Sequence, residues 1–173
     1  MRILFVDDDP DERVLASRAV AQEFPEASIL QAFDRDSLEA ALGGGTLDLL
    51  VTDYDLRWMT GFGIFDIAKS ISPTCLAIMY TGTGNEELAV RAMKHGFDDY
   101  VVKSATQRRR LAASTRAALT RRDERRALEH SRALVLEELY HRLHNNLQIV
   151  ISLIRQTERD LGDAATRDRK SVV

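Results

Sequence analysis

Five apolar runs of strand length recur along the chain, and each is followed by a segment with helical spacing. The runs are ILFV (3–6), SILQAF (28–33), LDLLVT (47–52), CLAIMY (75–80) and YVV (100–102). The clearest helical segment is EELAVRAMKHG, where Leu88, Ala89, Ala92 and Met93 share a face and Gly96 can end the helix. Strand alternating with helix predicts a parallel sheet covered on both faces, an α/β architecture. Glycines at 43–45, 61 and 63, and 82 and 84 are read as loop markers. Cys75, the single cysteine, has no partner for an internal disulfide and reads as a small buried residue.

The pattern changes after Lys103. From about Ala105 to about Asp160 there is neither proline nor glycine, and Arg, Ala, Leu and Glu dominate. A helix of that length would extend roughly 80 Å, too far to pack wholly on a domain of about 100 residues. Charge divides at the same place. Residues 1–103 carry 9 Lys and Arg against 18 Asp and Glu, whereas residues 104–173 carry 15 against 9. Two modules with different tasks are expected. Leu136, Leu139, Leu143, Leu147, Val150 and Ile154 form a stripe spaced 3, 4, 4, 3 and 4, close to a bundle seam, so a homodimer through this helix is expected. Leu161-Gly162-Asp163 is read as the helix stop. With no signal peptide and no apolar run of spanning length, a soluble cytoplasmic chain without membrane partners is expected.

Chemistry gathers at the carboxyl ends of the strands, where open parallel sheets bind ligands. Asp7 and Asp8 end the first strand and Asp53 the third. If those strands are neighbours, three carboxylates converge and repel, unless a cation neutralises them. Hard oxygens in an open, wet site suit Mg²⁺. Asp9 is set apart: in Asp9-Pro10-Asp11-Glu12 it reads as an N-cap, with proline at the first helical position and glutamate at the third. Thr81-Gly82 ends the fourth strand with a hydroxyl that can reach a phosphoryl oxygen. Lys103 ends the fifth, where its ammonium can enter the acidic crevice.

This ordered set resembles the receiver domain of bacterial response regulators, a five-stranded, doubly wound, flavodoxin-like fold. The resemblance covers residues 1 to about 120 and rests on VDD, on VTDYDL with the glycine that follows, and on TGTGNEELAVRAMKHGFDDYVVK. It implies that Asp53 is the phosphoacceptor, that Asp8 binds Mg²⁺ directly and Asp7 largely through water, and that the backbone carbonyl of Asp55 is a further ligand. It also implies that Thr81 and Lys103 contact the phosphoryl group, and that Tyr100 is the aromatic switch that moves with Thr81. Two positions depart from the family pattern. Arg57, followed by Trp58, stands where proline is common. Ser104 stands where a proline often follows the lysine, and a cis bond there would cost roughly 2.5–4 kcal/mol, so a trans bond is expected.

The second informative stretch is LEELYHRLHNNLQIVISLI. His141 lies about 200° from Leu139 and from Leu143 around the helix, on the face opposite the stripe, with His144, Asn145 and Gln148 beside it. An outward imidazole can take a phosphoryl group. HRLHNNLQIV resembles the phosphoacceptor helix of histidine kinases of the HisKA_2/HWE type, with His144 at a position that is commonly basic. The resemblance implies that His141 is phosphorylated, assisted by Asn145, and that residues 135–173 form part of a dimerising hairpin, joined to the receiver by a helical linker over 105–134. Neither a full second hairpin helix nor an ATP-binding domain is present in the sequence, so a fragment of a longer kinase is expected. Its partners would be a cognate histidine kinase, a response regulator or a phosphotransfer protein. The alternatives are an ATPase-less phosphorelay adaptor, or a receiver controlling an RNA- or DNA-binding output through QRRRLAASTRAALTRRDERR, which holds 8 arginines and 2 acids. Few aromatics interleave that stretch, and Arg/Glu pairing on a solvated helix is the plainer reading, which disfavours nucleic acid. His95 and His130 lack partners at metal-ligand spacing.

Overall fold

The computed structural model describes the backbone of residues 1–104 and 106–170, with side chains through 145 and at 147 and 148. Elements follow the order β1 (Arg2–Val6), α1 (Pro10–Glu23), β2 (Ser28–Ala32), α2 (Arg35–Gly43), β3 (Leu49–Thr52), β4 (Asp55–Leu56), β5 (Met59–Thr60), α3 (Gly61–Ile71), β6 (Leu76–Thr81), α4 (Glu86–His95), β7 (Asp99–Val102) and α5 (Arg108–Lys170). Met1–Arg122 is one compact unit, and a second begins at Asp123.

Five strands form a parallel sheet in the order β2-β1-β3-β6-β7. Its two faces bury separate clusters, as expected for strands covered on both sides. Leu4, Val6, Leu50, Ala77 and Met79 point to one face and meet α2, α3 and α4 through Leu38, Ile64 and Leu88. Ile3, Phe5, Leu49, Val51, Ile78 and Tyr80 point to the other and meet α1 and the start of α5 through Ala16, Val20, Leu111 and Ala118. Successive residues thus alternate faces, the two-residue period of a strand. Cys75 is buried just before β6, and burial pushes its thiol up to about 12, so it is an inert packing residue.

Local signals place most helix ends. Asp9 caps α1, its carboxylate accepting from the Asp11 and Glu12 amides. Those bonds hold its pKa low. Glu12 does not complete a capping box. It accepts a hydrogen bond from Tyr80 Oη at 3.4 Å and lies 3.6 Å from Arg108, tying α1 to the sheet and to α5. Asn85 caps α4, and Gly96 ends it at φ 114°, a left-handed conformation that suits glycine.

Two expectations are corrected. Gly61 and Gly63 lie in the first turn of α3, capped by Thr60, rather than in a loop. The residues before them form the short β4–β5 hairpin, which carries no apolar alternation long enough to read from sequence. Helix α5 continues through Leu161-Gly162-Asp163; an isolated glycine costs a helix only about 1 kcal/mol, too little to end it. The bond before Ser104 is trans, as expected, and no peptide among the described residues is cis. No helix among them is long and apolar enough to cross a membrane.

The arginine-rich start of α5 is more than a solvated face. Arg108 pairs with Glu12, Arg116 with Glu23, and Arg122 with Asp48, so acids of the sheet unit take up these cations. Arg125–Glu129 and Arg142–Glu138 are within-helix pairs of the kind anticipated.

Candidate functional site

β1 and β3 are adjacent and in register, Val6 beside Thr52, so the chain leaves both strands at one level. Asp7 and Asp53 are the next residues, and the Asp53 amide donates to the Val6 carbonyl at 2.9 Å. Asp7 and Asp53 are 4% and 9% exposed, Asp8 half-buried. One carboxylate oxygen from each of the three lies within 4.8 Å of the others. The convergence expected from the sequence is therefore present.

Each acid is held differently. Asp7 Oδ1 accepts from the Asp9 amide at 3.0 Å, and Arg13 Nη1 donates to the Asp7 carbonyl at 2.6 Å. Arg13 went unnoticed in the sequence, because its reach back from α1 has no periodic signature. Asp53 Oδ1 accepts from the Tyr54 amide at 2.6 Å. That leaves Oδ2, which is 2.5 Å from Lys103 Nζ, while the same ammonium is 2.7 Å from Asp7 Oδ2. Lys103 comes from the end of β7, next to β6, and its amide bonds the Thr81 carbonyl at 2.8 Å. Burial works against its charge, but the two carboxylates outweigh that and raise its pKa. Burial likewise pushes the Asp7 carboxyl up, Lys103 opposing it. Asp8 has a different partner, Arg57 Nε at 2.9 Å, from the β4–β5 turn.

Thr81 ends β6 fully buried, and its Oγ1 accepts from the Thr83 amide at 3.2 Å. Tyr100 is half-buried on β7, and its Oη donates to the Thr83 carbonyl at 2.9 Å. The two proposed switch residues therefore meet on one backbone residue, Thr83, in the β6–α4 loop. Asp55 opens β4 with its side chain exposed, and its carboxylate is not in the acid cluster.

Gly61 explains how α3 comes so close to the acid loop. A Cβ there would lie 2.3 Å from the Asp53 carbonyl oxygen and 3.1 Å from Tyr54 Cα, while the Gly61 amide donates to the Tyr54 carbonyl at 2.8 Å. Gly61→Ala is expected to lower stability by about 1–3 kcal/mol, the usual range for overpacking. Urea unfolding would measure it, and a change below about 0.5 kcal/mol would show that the loop yields freely.

The other flagged histidines separate by surroundings. His95 Nε2 is 2.9 Å from Asp66 and packs on Phe62 and Phe65, a structural placement. His141 is exposed on α5, 3.9 Å from Glu137 one turn back; Asn145 is exposed; and Gln148 bonds His144 at 3.0 Å. Leu136, Leu139, Leu143 and Leu147 are all exposed. The side chains of Val150 and Ile154 lie outside the described residues.

A parallel five-stranded sheet with acids at the ends of two central strands, and a hydroxyl and a lysine on the next two, defines the receiver class of signalling domain. Residues 3–115 match the family model for the response regulator receiver domain, and the chain belongs to that family. It is 32% identical over 129 residues to the nitrogen assimilation regulatory protein NtrX of Azorhizobium caulinodans, covering 73% of this chain and 28% of that protein. The crystal structure of NtrX from Brucella abortus in complex with ADP aligns with a TM-score of 0.66 at 30% identity, over 74% of this chain and 29% of that one. A response regulator from Burkholderia pseudomallei, solved with a phosphorylated aspartic acid, calcium ion and citrate, aligns with a TM-score of 0.57 at 25% identity, over 74% and 72%. This chain thus spans under a third of the NtrX proteins it matches.

Proposed function

We propose that this receiver accepts a phosphoryl group on Asp53 and thereby controls a histidine-kinase output carried by α5. The observation that carries the first part is Asp53 itself: a carboxylate at a central strand end, its Oδ2 facing a buried ammonium and two further carboxylates. The donor set fits a hard divalent cation, all ligands being carboxylate oxygens. Asp8 and Asp53 would hold Mg²⁺, with Asp7 acting through water and the Asp55 carbonyl completing the protein's share. When bound, the ion supplies positive charge to the phosphoryl oxygens.

The chain's own residues account for the rest. An Asp53 oxygen forms a bond to phosphorus as the P–N bond of a phosphohistidine donor breaks, and the imidazole leaves with the electron pair. Lys103, already beside Asp53, neutralises charge on the incoming oxygens without rearranging. Thr81 turns its hydroxyl from the Thr83 amide to a phosphoryl oxygen. The loop carrying Thr83 shifts with it, and Tyr100, bonded to the Thr83 carbonyl, follows.

The relative solved with a phosphorylated aspartate supports this reading. The kinase output rests on the HRLHNNLQIV string, on exposed His141 with Asn145 one turn on, and on the exposed leucine stripe, which suits pairing with a second copy. The engagement of Arg108, Arg116 and Arg122 by receiver acids favours this over a nucleic-acid output.

The test is to treat the chain with Mg²⁺ and a small phosphodonor, trap acyl phosphate by borohydride reduction, and map the reduced residue. Residue 53 is the expected site; modification elsewhere, or none, overturns the reading. The output is tested separately by alkali-stable, acid-labile phosphate that disappears in His141→Ala. Phosphotransfer indifferent to that change would overturn it.

A further inference from the structure

Three carboxylates meet two tethered cations at this site, and the two cations are held very differently. Lys103 is buried, its side chain 11% exposed, and it bridges Asp7 and Asp53. Arg57 reaches Asp8 with its side chain 89% exposed. Its backbone is nonetheless well placed. Leu56 pairs with Met59 across the β4–β5 hairpin, leaving Arg57 and Trp58 as a two-residue turn. Leu56 is buried and Trp58 packs on the core, so the turn is anchored on both sides of Arg57 while the guanidinium itself stays in water.

We propose that Arg57 is a competing internal cation, which occupies Asp8 in the metal-free site and must be displaced before a divalent ion can bind there. This deepens the receiver reading and rests on it. Asp8 Oδ2 is 2.9 Å from Arg57 Nε, so the guanidinium competes with a metal ion for the charge of that carboxylate. Arg57 also adds a positive charge that opposes an incoming dication. The consequence is a weakened divalent site that fills only at higher ion concentration, and a guanidinium released from Asp8 whenever the ion is bound. A proline at this position could do neither.

An exposed ion pair contributes little, so the expected effect is modest: removing it tightens binding about two- to fivefold. The experiment titrates the full chain with Mn²⁺, counting free ion by electron paramagnetic resonance, for wild type, Arg57→Ala and Arg57→Lys. Trp58, the sole tryptophan, gives a second readout through its emission. Tighter binding in Arg57→Ala, with Arg57→Lys nearer wild type, supports the proposal. Equal or weaker binding in Arg57→Ala overturns it while the receiver reading stands. Absence of binding in all three chains removes the divalent site itself, and this inference with it. Residue 57 is solvent-exposed, so neither substitution threatens folding.

Discussion

Asp53→Asn is expected to abolish stable phosphorylation, lowering the yield from a small phosphodonor by at least about 100-fold, while the domain stays folded. The carboxamide has the shape of the carboxylate but neither its charge nor its nucleophilic oxygen, so the geometry survives and the bond to phosphorus does not form. The neighbouring acids are poor substitutes. Asp7 is buried and already engaged by Lys103 and the Asp9 amide. Asp8 is paired with Arg57. Lys103 keeps Asp7 as a partner in the variant, so no buried charge is stranded. Urea unfolding is therefore expected within about 1 kcal/mol of wild type, since no new unpaired charge is created. The measurement pairs radiolabel incorporation with that unfolding curve. Persistent labelling in a folded Asp53→Asn chain would move the acceptor to another residue.

What could be read from the sequence was what depends on periodicity and strand ends. Strand runs alternating with helical segments yielded the parallel sheet, and the apolar runs ILFV and LDLLVT placed Asp7 and Asp53 just beyond two strands that are neighbours in the sheet. Caps at Asp9 and Gly96 were legible because they act within one turn of chain. The β4–β5 hairpin was not, since two-residue strands leave no pattern, and with it went the contact of Arg57 with Asp8. Arg57 is legible as a departure from the family's proline; the pairing of its charge with Asp8 is not. The receiver partners of Arg108, Arg116 and Arg122 were missed for the same reason: each pair joins residues far apart in sequence that only the fold brings together; Arg13 reaches a carbonyl only six residues back, but that contact has no periodic signature. Gly162 does not stop α5, because a helix interior tolerates one glycine.

Lys103→Met should have the larger effect on stability, lowering it by about 3–5 kcal/mol at neutral pH in the presence of a chelator, the range for stranding a buried ionic partner. Met keeps the aliphatic length but leaves Asp7 and Asp53 facing each other in a site where both are largely buried. The pH dependence has a definite sign. Interaction with the acids raises the folded pKa of Lys103, so its contribution is complete below its unfolded value and is lost only as pH rises through the folded one; wild type keeps it throughout the neutral range. Asp7 is raised mainly by burial, with Lys103 pulling it back, so the variant's Asp7 titrates higher still. A carboxyl raised in the folded state binds its proton more tightly there than in the unfolded chain. Its penalty is therefore present above the folded pKa and relieved as pH falls through it. The gap between variant and wild type is expected to be widest near neutrality and to narrow toward acid. Mg²⁺ should narrow it as well, by mass action on the folded state. Urea unfolding at several pH values, with and without Mg²⁺, measures all three. A gap below about 1 kcal/mol at neutral pH, or one that widens in acid, would show that Lys103 does not hold the acid pair together, and the phosphoryl site would lose its organising charge.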